Sequence, residues 1–199
     1  MHETLDLTEK LKDPIKGNLK SLMNHLGRYW YAIKKLELKE SDKVIDFGCG
    51  RGYGTYLLSL YSFASGVDKN GQYIENAKEM FGDFYYDPDV LETVGCFDYF
   101  DKAVCTEVIE HVTQDEQKII IDRLVSWIKP GGMIYLTFPQ GDNKKSEYNQ
   151  FHVCEPSIAW IDDLLLTNKI DAKMEQQEIL NTFGKREIQV IMWGSKCNS

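Results

Sequence analysis

The chain has 199 residues, with 43% hydrophobic and 27% charged, and a formal net charge of −8. That length fits one domain whose core needs no staples, and the composition excludes wholesale disorder. The acidic balance counts against generic binding to nucleic-acid phosphates, and no apolar run nears the roughly 20 residues that span a bilayer.

Five scattered cysteines (Cys49, Cys96, Cys105, Cys154, Cys197) form no Cys-x-x-Cys pair. They predict reduced thiols, hence a cytoplasmic protein, rather than a disulfide framework. The start, MHETLDLTEKLKD, is charged and has no apolar h-region, so no signal peptide is expected. Residues 1–40 carry 8 Lys/Arg against 6 Asp/Glu, and the remainder 15 against 25. That asymmetry is expected as a solvated helix face, the alternative being local guidance of an anionic substrate.

In chain order, 18–38 is predicted helical, with Leu19, Leu22, Leu26, Tyr29, Ile33 and Leu36 recurring near a 3.6-residue period. Lys43–Phe47 (KVIDF) predicts a buried strand running into glycines, followed by a helix over Tyr53–Tyr61. Phe63–Val67 predicts a second strand, closed by Asp68, and Gly71–Met80 a helix. Phe84–Tyr86 is a weak third strand and Tyr99–Thr106 a fourth. Gln114–Ile128 is predicted helical and stopped by Pro130-Gly131-Gly132. A strand over Met133–Phe138 and a helix over Pro156–Asn168 follow. Met174–Ile179 and Ile188–Trp193 then form strands around Thr182-Phe183-Gly184-Lys185, with no helix between them. Repeated β/α units imply parallel strands with right-handed crossovers, and two strands on a short link pair as a hairpin. The expected fold is therefore α/β, a seven-stranded, mostly parallel sheet with one antiparallel edge strand and helices on both faces. It forms a single domain, 1–40 being a helical cap and 41–199 the core.

The segment Val44-Ile45-Asp46-Phe47-Gly48-Cys49-Gly50-Arg51-Gly52-Tyr53-Gly54 lies between a strand and a helix, where a nucleotide loop belongs. Glycines let bare backbone approach a ligand. The dehydrogenase spacing G-x-G-x-x-G is absent, since Tyr53 or Thr55 stands where the third glycine belongs, and no Lys follows as a Walker loop requires. Asp46 before the glycines repels a pyrophosphate but suits an ammonium or sulfonium. Asp68, 20 residues after Gly48, can accept both hydroxyls of a ribose. A nucleoside with little phosphate and a positive group is implied, and S-adenosylmethionine meets those conditions.

With these residues in view, D-F-G-C-G-R-G-Y-G and the downstream V-D-K-N resemble the first two motifs of class I S-adenosylmethionine-dependent methyltransferases. The order of elements matches that Rossmann-like fold from Lys43 to Trp193. The resemblance implies that Asp46, Gly48, Cys49, Gly50, Asp68 and Lys69 form the cofactor loop and ribose site. It also implies an Asp after the third strand for the adenine amino group. Asp87 ends the aromatic run, but Pro88 beyond it has no N–H, whereas Val90 beyond Asp89 does.

Phe100-Asp101-Lys102-Ala103-Val104-Cys105-Thr106-Glu107-Val108-Ile109-Glu110-His111-Val112 resembles the family's fourth motif. Cys105 and Thr106 are expected beside the methionine end of the cofactor. In one helical turn, Glu107, Glu110 and His111 would share a side. Three roles stand open: His111 as general base with Glu107 beside it; Glu107, Glu110, His111 and His152 as ligands of Mg²⁺, Mn²⁺ or Zn²⁺; or carboxylates capping a helix beside a packed histidine. Similar E-x-x-E-H clusters hold metal in small-RNA 3′-end 2′-O-methyltransferases and quinone O-methyltransferases.

His25-Leu26-Gly27-Arg28-Tyr29-Trp30-Tyr31-Ala32 and Asn149-Gln150-Phe151-His152-Val153 resemble a subgroup whose members often lie among genes for glycan synthesis. Arg28 could pair with the cofactor's carboxylate, and Tyr29 could close over the methionine. The polar loop GDNKKSEYNQ, with Lys144, Lys145 and Tyr148, is where an acceptor should rest. The expected activity is methyl transfer to a hydroxyl of a small molecule or glycan. An RNA 3′-end 2′-O-methyltransferase and a non-catalytic cofactor-binding partner subunit are the competing functions.

Overall fold

The computed structural model describes residues 19–180 and 186–197. The turn expected over Thr182–Lys185, the first 18 residues of the cap, and the side chains of residues 19–24 and 180 lie outside it. The elements in order are α1 (Leu19–Lys35), β1 (Lys43–Phe47), α2 (Tyr53–Ser59), β2 (Phe63–Val67), α3 (Gly71–Phe81) and β3 (Tyr85–Tyr86). After them come α4 (Pro88–Thr93), β4 (Phe100–Thr106), a 3₁₀ turn (Ile109–His111), α5 (Gln114–Trp127), β5 (Ile128–Pro139), α6 (Ile158–Thr167), β6 (Ile170–Leu180) and β7 (Arg186–Lys196).

The seven strands form one sheet in the order β3-β2-β1-β4-β5-β7-β6. Strands β1 to β5 pair in parallel, and β7 runs antiparallel to both β5 and β6. The expected antiparallel edge is thus a hairpin pair. The crossover through α6 sets β6 down one strand away from β5, and β7 folds back into the gap.

Alternation along the strands sorts their side chains onto two faces. Ile45, Phe47, Ala103 and Leu136 meet Ile121 and Leu124 of α5 and Ile161 and Leu165 of α6. Val44, Val104, Tyr135 and Ile191 meet Tyr29, Ala32 and Leu36 of α1 and Leu58 of α2. Both faces are covered, so β1 and β4 read as nearly continuous apolar runs.

Beyond longer β6 and β7 strands, two departures bear on the site and the sheet. Asp87-Pro88-Asp89 is not a plain turn: Pro88 opens α4 at the position where its missing N–H costs nothing, and the Asp87 carboxylate accepts the Asp89 N–H at 2.8 Å. Strand β5 starts at Ile128 rather than Met133, because Pro130-Gly131-Gly132 sits in a bulge where the register jumps from Phe100–Ile128 to Lys102–Met133. Among the described residues no helix is long and apolar enough to cross a membrane.

Candidate functional site

A cavity of about 440 Å³ opens at the C-terminal ends of β1, β2 and β4, where ligands of parallel sheets bind. Its walls include the backbone of Gly48 and Gly50, Asp68 and Lys69 after β2, Asp87 and Asp89 after β3, and Glu107, Val108 and His111 after β4.

The glycine loop is tied down at its start: the Gly48 and Cys49 N–H groups both donate to the Val67 carbonyl, at 2.8 and 3.0 Å. Gly48 and Gly50 have φ of 73° and 54°, a region in which side chains are strained. A Cβ on Gly48 would also lie 2.4 Å from the Val108 side chain. Asp68 is held by two backbone donors, Gly50 at 2.9 Å and Asn70 at 2.8 Å. Its carboxylate is therefore fixed at the cavity wall. Bare backbone on one side and an oriented carboxylate on the other suit a nucleoside.

The structure places several expected contacts elsewhere. Tyr29 does not close over the cavity; it is 1% exposed, and its ring fills the space a Cβ on Gly54 would take. Its hydroxyl donates to Asp46 at 3.3 Å, and Thr55 donates to the same carboxylate at 2.6 Å. Asp46 is fully buried on the α1/α2 face. Burial pushes its carboxyl up to about 7. Cys49, Cys105 and Thr106 are also buried, and none of them is among the cavity's lining residues. Burial pushes both thiols up. Both adenine candidates line the cavity. Asp87 caps α4, and Asp89 reaches Arg123 at 3.3 Å.

Arg28 pairs with Glu107 at 3.0 Å. The same carboxylate accepts from Thr137 at 2.9 Å and Gln189 at 2.8 Å. Glu107 has φ of 54°, which breaks the helical phase before the 3₁₀ turn begins at Ile109. It therefore does not share a face with Glu110 and His111. The expected quartet of ligands becomes a trio: ligand atoms of Glu110, His111 and His152 lie within 4.8 Å of one another.

That trio is held from behind. His111 Nδ1 meets the Phe151 carbonyl at 3.0 Å, and His152 Nδ1 meets the Glu155 carboxylate at 2.7 Å. Both Nδ1 atoms are thus engaged, and His111 Nε2 lies 3.8 Å from the Glu110 carboxylate, an orientation like that of histidines held for a metal. Glu110 is 1% exposed, and neither carboxylate oxygen receives a hydrogen bond among the described residues. Burial, with the Glu107 charge adding to it, pushes its carboxyl well above the usual range.

A residue absent from the expected site joins the two halves of this cluster. The buried Gln117 donates to the carbonyls of Ile109 at 3.0 Å and Cys154 at 2.7 Å, and accepts from the Trp160 indole at 3.0 Å. The available signal was a polar residue on the apolar face of α5, in line with Ile120, Ile121 and Leu124.

Comparison with known proteins agrees with this geometry. A family model described as "Methyltransferase domain" matches residues 17–195. The ubiquinone biosynthesis O-methyltransferase of Rickettsia conorii is 29% identical over 160 residues, which cover 78% of this chain and 49% of that protein. The chain thus spans about half the length of that relative. Among solved structures, an S-adenosylmethionine-dependent methyltransferase from Methanosarcina mazei superposes with a TM-score of 0.70 at 17% identity, covering 84% of this chain and 98% of that one. Phosphoethanolamine N-methyltransferase 2 of Haemonchus contortus, bound to S-adenosylmethionine, gives 0.68 at 16% identity, with coverage of 86% and 53%.

Proposed function

The chain belongs to the methyltransferase-domain family, and we propose that it is a class I, S-adenosylmethionine-dependent enzyme that methylates a hydroxyl of a small molecule or glycan with help from a divalent cation. The observation that carries the second half is Glu110. A carboxylate buried without a hydrogen bond is costly, and here it stands between two histidines whose Nδ1 atoms are already engaged. One hard oxygen donor and two imidazoles fit Mn²⁺, Mg²⁺ or Zn²⁺. Such a cation, when bound by Glu110, His111 and His152, lowers the pKa of an acceptor hydroxyl.

The chain's own part is alignment. Methyl transfer is an in-line displacement from a sulfonium carbon, and the leaving thioether is neutral. No covalent nucleophile is needed, and holding the acceptor oxygen behind the methyl supplies several kcal/mol. Asp68 and the glycine backbone hold the nucleoside at one end. Glu107 lines the cavity and pairs with Arg28, whose guanidinium would receive the donor's carboxylate. The name of the Rickettsia relative, an O-methyltransferase, supports oxygen as the methylated atom.

The test is transfer of labelled methyl to quinols, sugar nucleotides and short RNAs, with and without EDTA. Turnover on a hydroxyl compound that EDTA stops and Mn²⁺ or Mg²⁺ restores is the expected result. His152→Ala should lose calorimetric Mn²⁺ binding and keep S-adenosylhomocysteine binding. Indifference to chelator rejects the metal, and transfer to nitrogen or RNA alone rejects the acceptor class.

A further inference from the structure

We infer that the outer edge of β6 is a pairing surface for a second copy of this chain, the two copies meeting as antiparallel strands about a two-fold axis at Met174. The inference rests on the sheet edge and not on the donor, the acceptor or the metal.

The two edges of the sheet differ. β3 is two residues long and runs into Pro88, so it offers a neighbour almost no ladder. β6 is 11 residues long and pairs with β7 from Ile170 to Leu180 without a register shift. It holds no proline, glycine or bulge, the devices that blunt or bend an edge. Among the described residues nothing pairs with its outer side. Asp171, Lys173, Met174, Gln176, Gln177 and Glu178 are all exposed. A row of outward backbone donors and acceptors is thus left as a template for a further strand.

The charges along β6 say which strand fits. The Glu175 carboxylate accepts from the Tyr31 hydroxyl and from Lys35 of α1, each at 2.5 Å. Those contacts hold it in place and leave acceptor sites open, since a carboxylate has about four. Lys173 lies two residues earlier, on the same face of the strand, and makes no ion pair among the described residues. A lysine on an edge commonly repels unrelated strands. Here its complement, an anion already oriented, stands on the same edge.

Two identical antiparallel edges meet about an axis on which one residue faces its own copy. Charge chooses that residue. An axis at Lys173 or at Glu175 sets like charges opposite each other, which destabilises a pair of strands. An axis at Ala172 sets Lys173 against Asp171 but overlaps only residues 170–174. An axis at Gln176 sets Lys173 against Ile179 and Met174 against Glu178. An axis at Met174 overlaps residues 170–178, packs the exposed Met174 on its own copy, and sets Lys173 against Glu175 of the second copy twice over. Such an overlap forms about eight to ten backbone hydrogen bonds, close to the number in a typical interface. Glu175 is held before the copies meet, so less freedom is lost on pairing.

Analytical ultracentrifugation of the full chain from about 1 to about 100 µM tests this. A concentration-dependent dimer is expected. Lys173→Glu brings two carboxylates together at both symmetric positions and should raise the dimer dissociation constant about 10- to 100-fold, with circular dichroism unchanged. Lys173→Arg should keep the dimer. A short bis-maleimide then reads the register in a Cys197→Ser background, Cys197 being the exposed native thiol. Met174→Cys should cross-link two chains, since facing residues lie about 5 Å apart. Gln177→Cys should not, its copy being about 20 Å away. A chain that stays monomeric throughout overturns the inference and leaves the edge to a strand of another protein. A dimer indifferent to Lys173→Glu, or one that cross-links through Gln177→Cys and not through Met174→Cys, overturns it as well.

Discussion

At the glycine-loop end of the cavity the chain presents main chain, and at the His111 end it presents side chains. The first is organised by neighbours in sequence: three glycines, the strand before them and the helix after them. The second is assembled from a 3₁₀ turn and a loop some 40 residues later, stitched through a third segment, α5. A backbone cradle suits a ligand shared by many enzymes, because it asks little of side-chain identity. A side-chain cluster can be retuned residue by residue, which is what acceptor chemistry requires. The two ends should therefore fail independently.

The largest break is expected at Gly48. Valine there combines φ of 73° with a Cβ that meets the Val108 side chain, also a cavity wall, at 2.4 Å. Gly48→Val should lose S-adenosylhomocysteine affinity by about 100-fold or more, since the backbone that Gly48 keeps bare at the cavity wall is then covered. Mn²⁺ binding should persist, and far-UV circular dichroism should be unchanged. Simultaneous loss of both ligands would show that the ends are coupled through the β4 loop.

Asp68→Ala gives a smaller break at the same end. One charged hydrogen-bonding group is removed, and the N–H groups of Gly50 and Asn70 lose their acceptor. Affinity for S-adenosylhomocysteine should fall roughly 10- to 100-fold. Unchanged calorimetric affinity would refute the ribose contact.

The same contrast explains what could be foreseen. Strand boundaries at Lys43–Phe47 and Phe63–Val67 and the glycine loop between them were legible because apolar runs and glycine spacing are local. The identity of Glu110, His111 and His152 was legible as a candidate set, but not their separation from Glu107. That depends on one left-handed residue, Glu107 itself, where a non-glycine φ of 54° resets the helical phase. A helical wheel drawn from residue 107 cannot register such a break. Asp87 was visible as a carboxylate, whereas its service as the cap of α4 follows from Pro88 opening a helix too short to leave a periodic signal. Tyr29 and Asp46 were expected at the cofactor, whereas both are buried and bonded to each other, off the cavity's walls. The face on which a side chain lies at the end of a strand is set by packing of α1 against β1, a tertiary fact.

The finest test of the comparison lies in Gln117, which touches neither ligand site directly. Its amide crosses from α5 to the Ile109 carbonyl and the Cys154 carbonyl, and its oxygen accepts from Trp160. The carbonyl of Glu110 meanwhile receives the N–H groups of Val153 and Cys154 at 2.8 and 3.1 Å. Leucine preserves the bulk and removes the stitch. Gln117→Leu leaves buried polar groups without partners, so a stability loss of about 1–3 kcal/mol is expected in denaturant titration. If the residue merely filled space, Mn²⁺ affinity of the folded fraction would not move. If it holds the turn against the loop, that affinity should fall about tenfold, as for other residues that orient metal-binding histidines. Binding of S-adenosylhomocysteine should stay within about twofold, because Gly50 and Asp68 are fixed by their own hydrogen bonds and distant sites act additively. A parallel decline in both affinities would instead make α5 a common support, and the independence of the two ends would be lost.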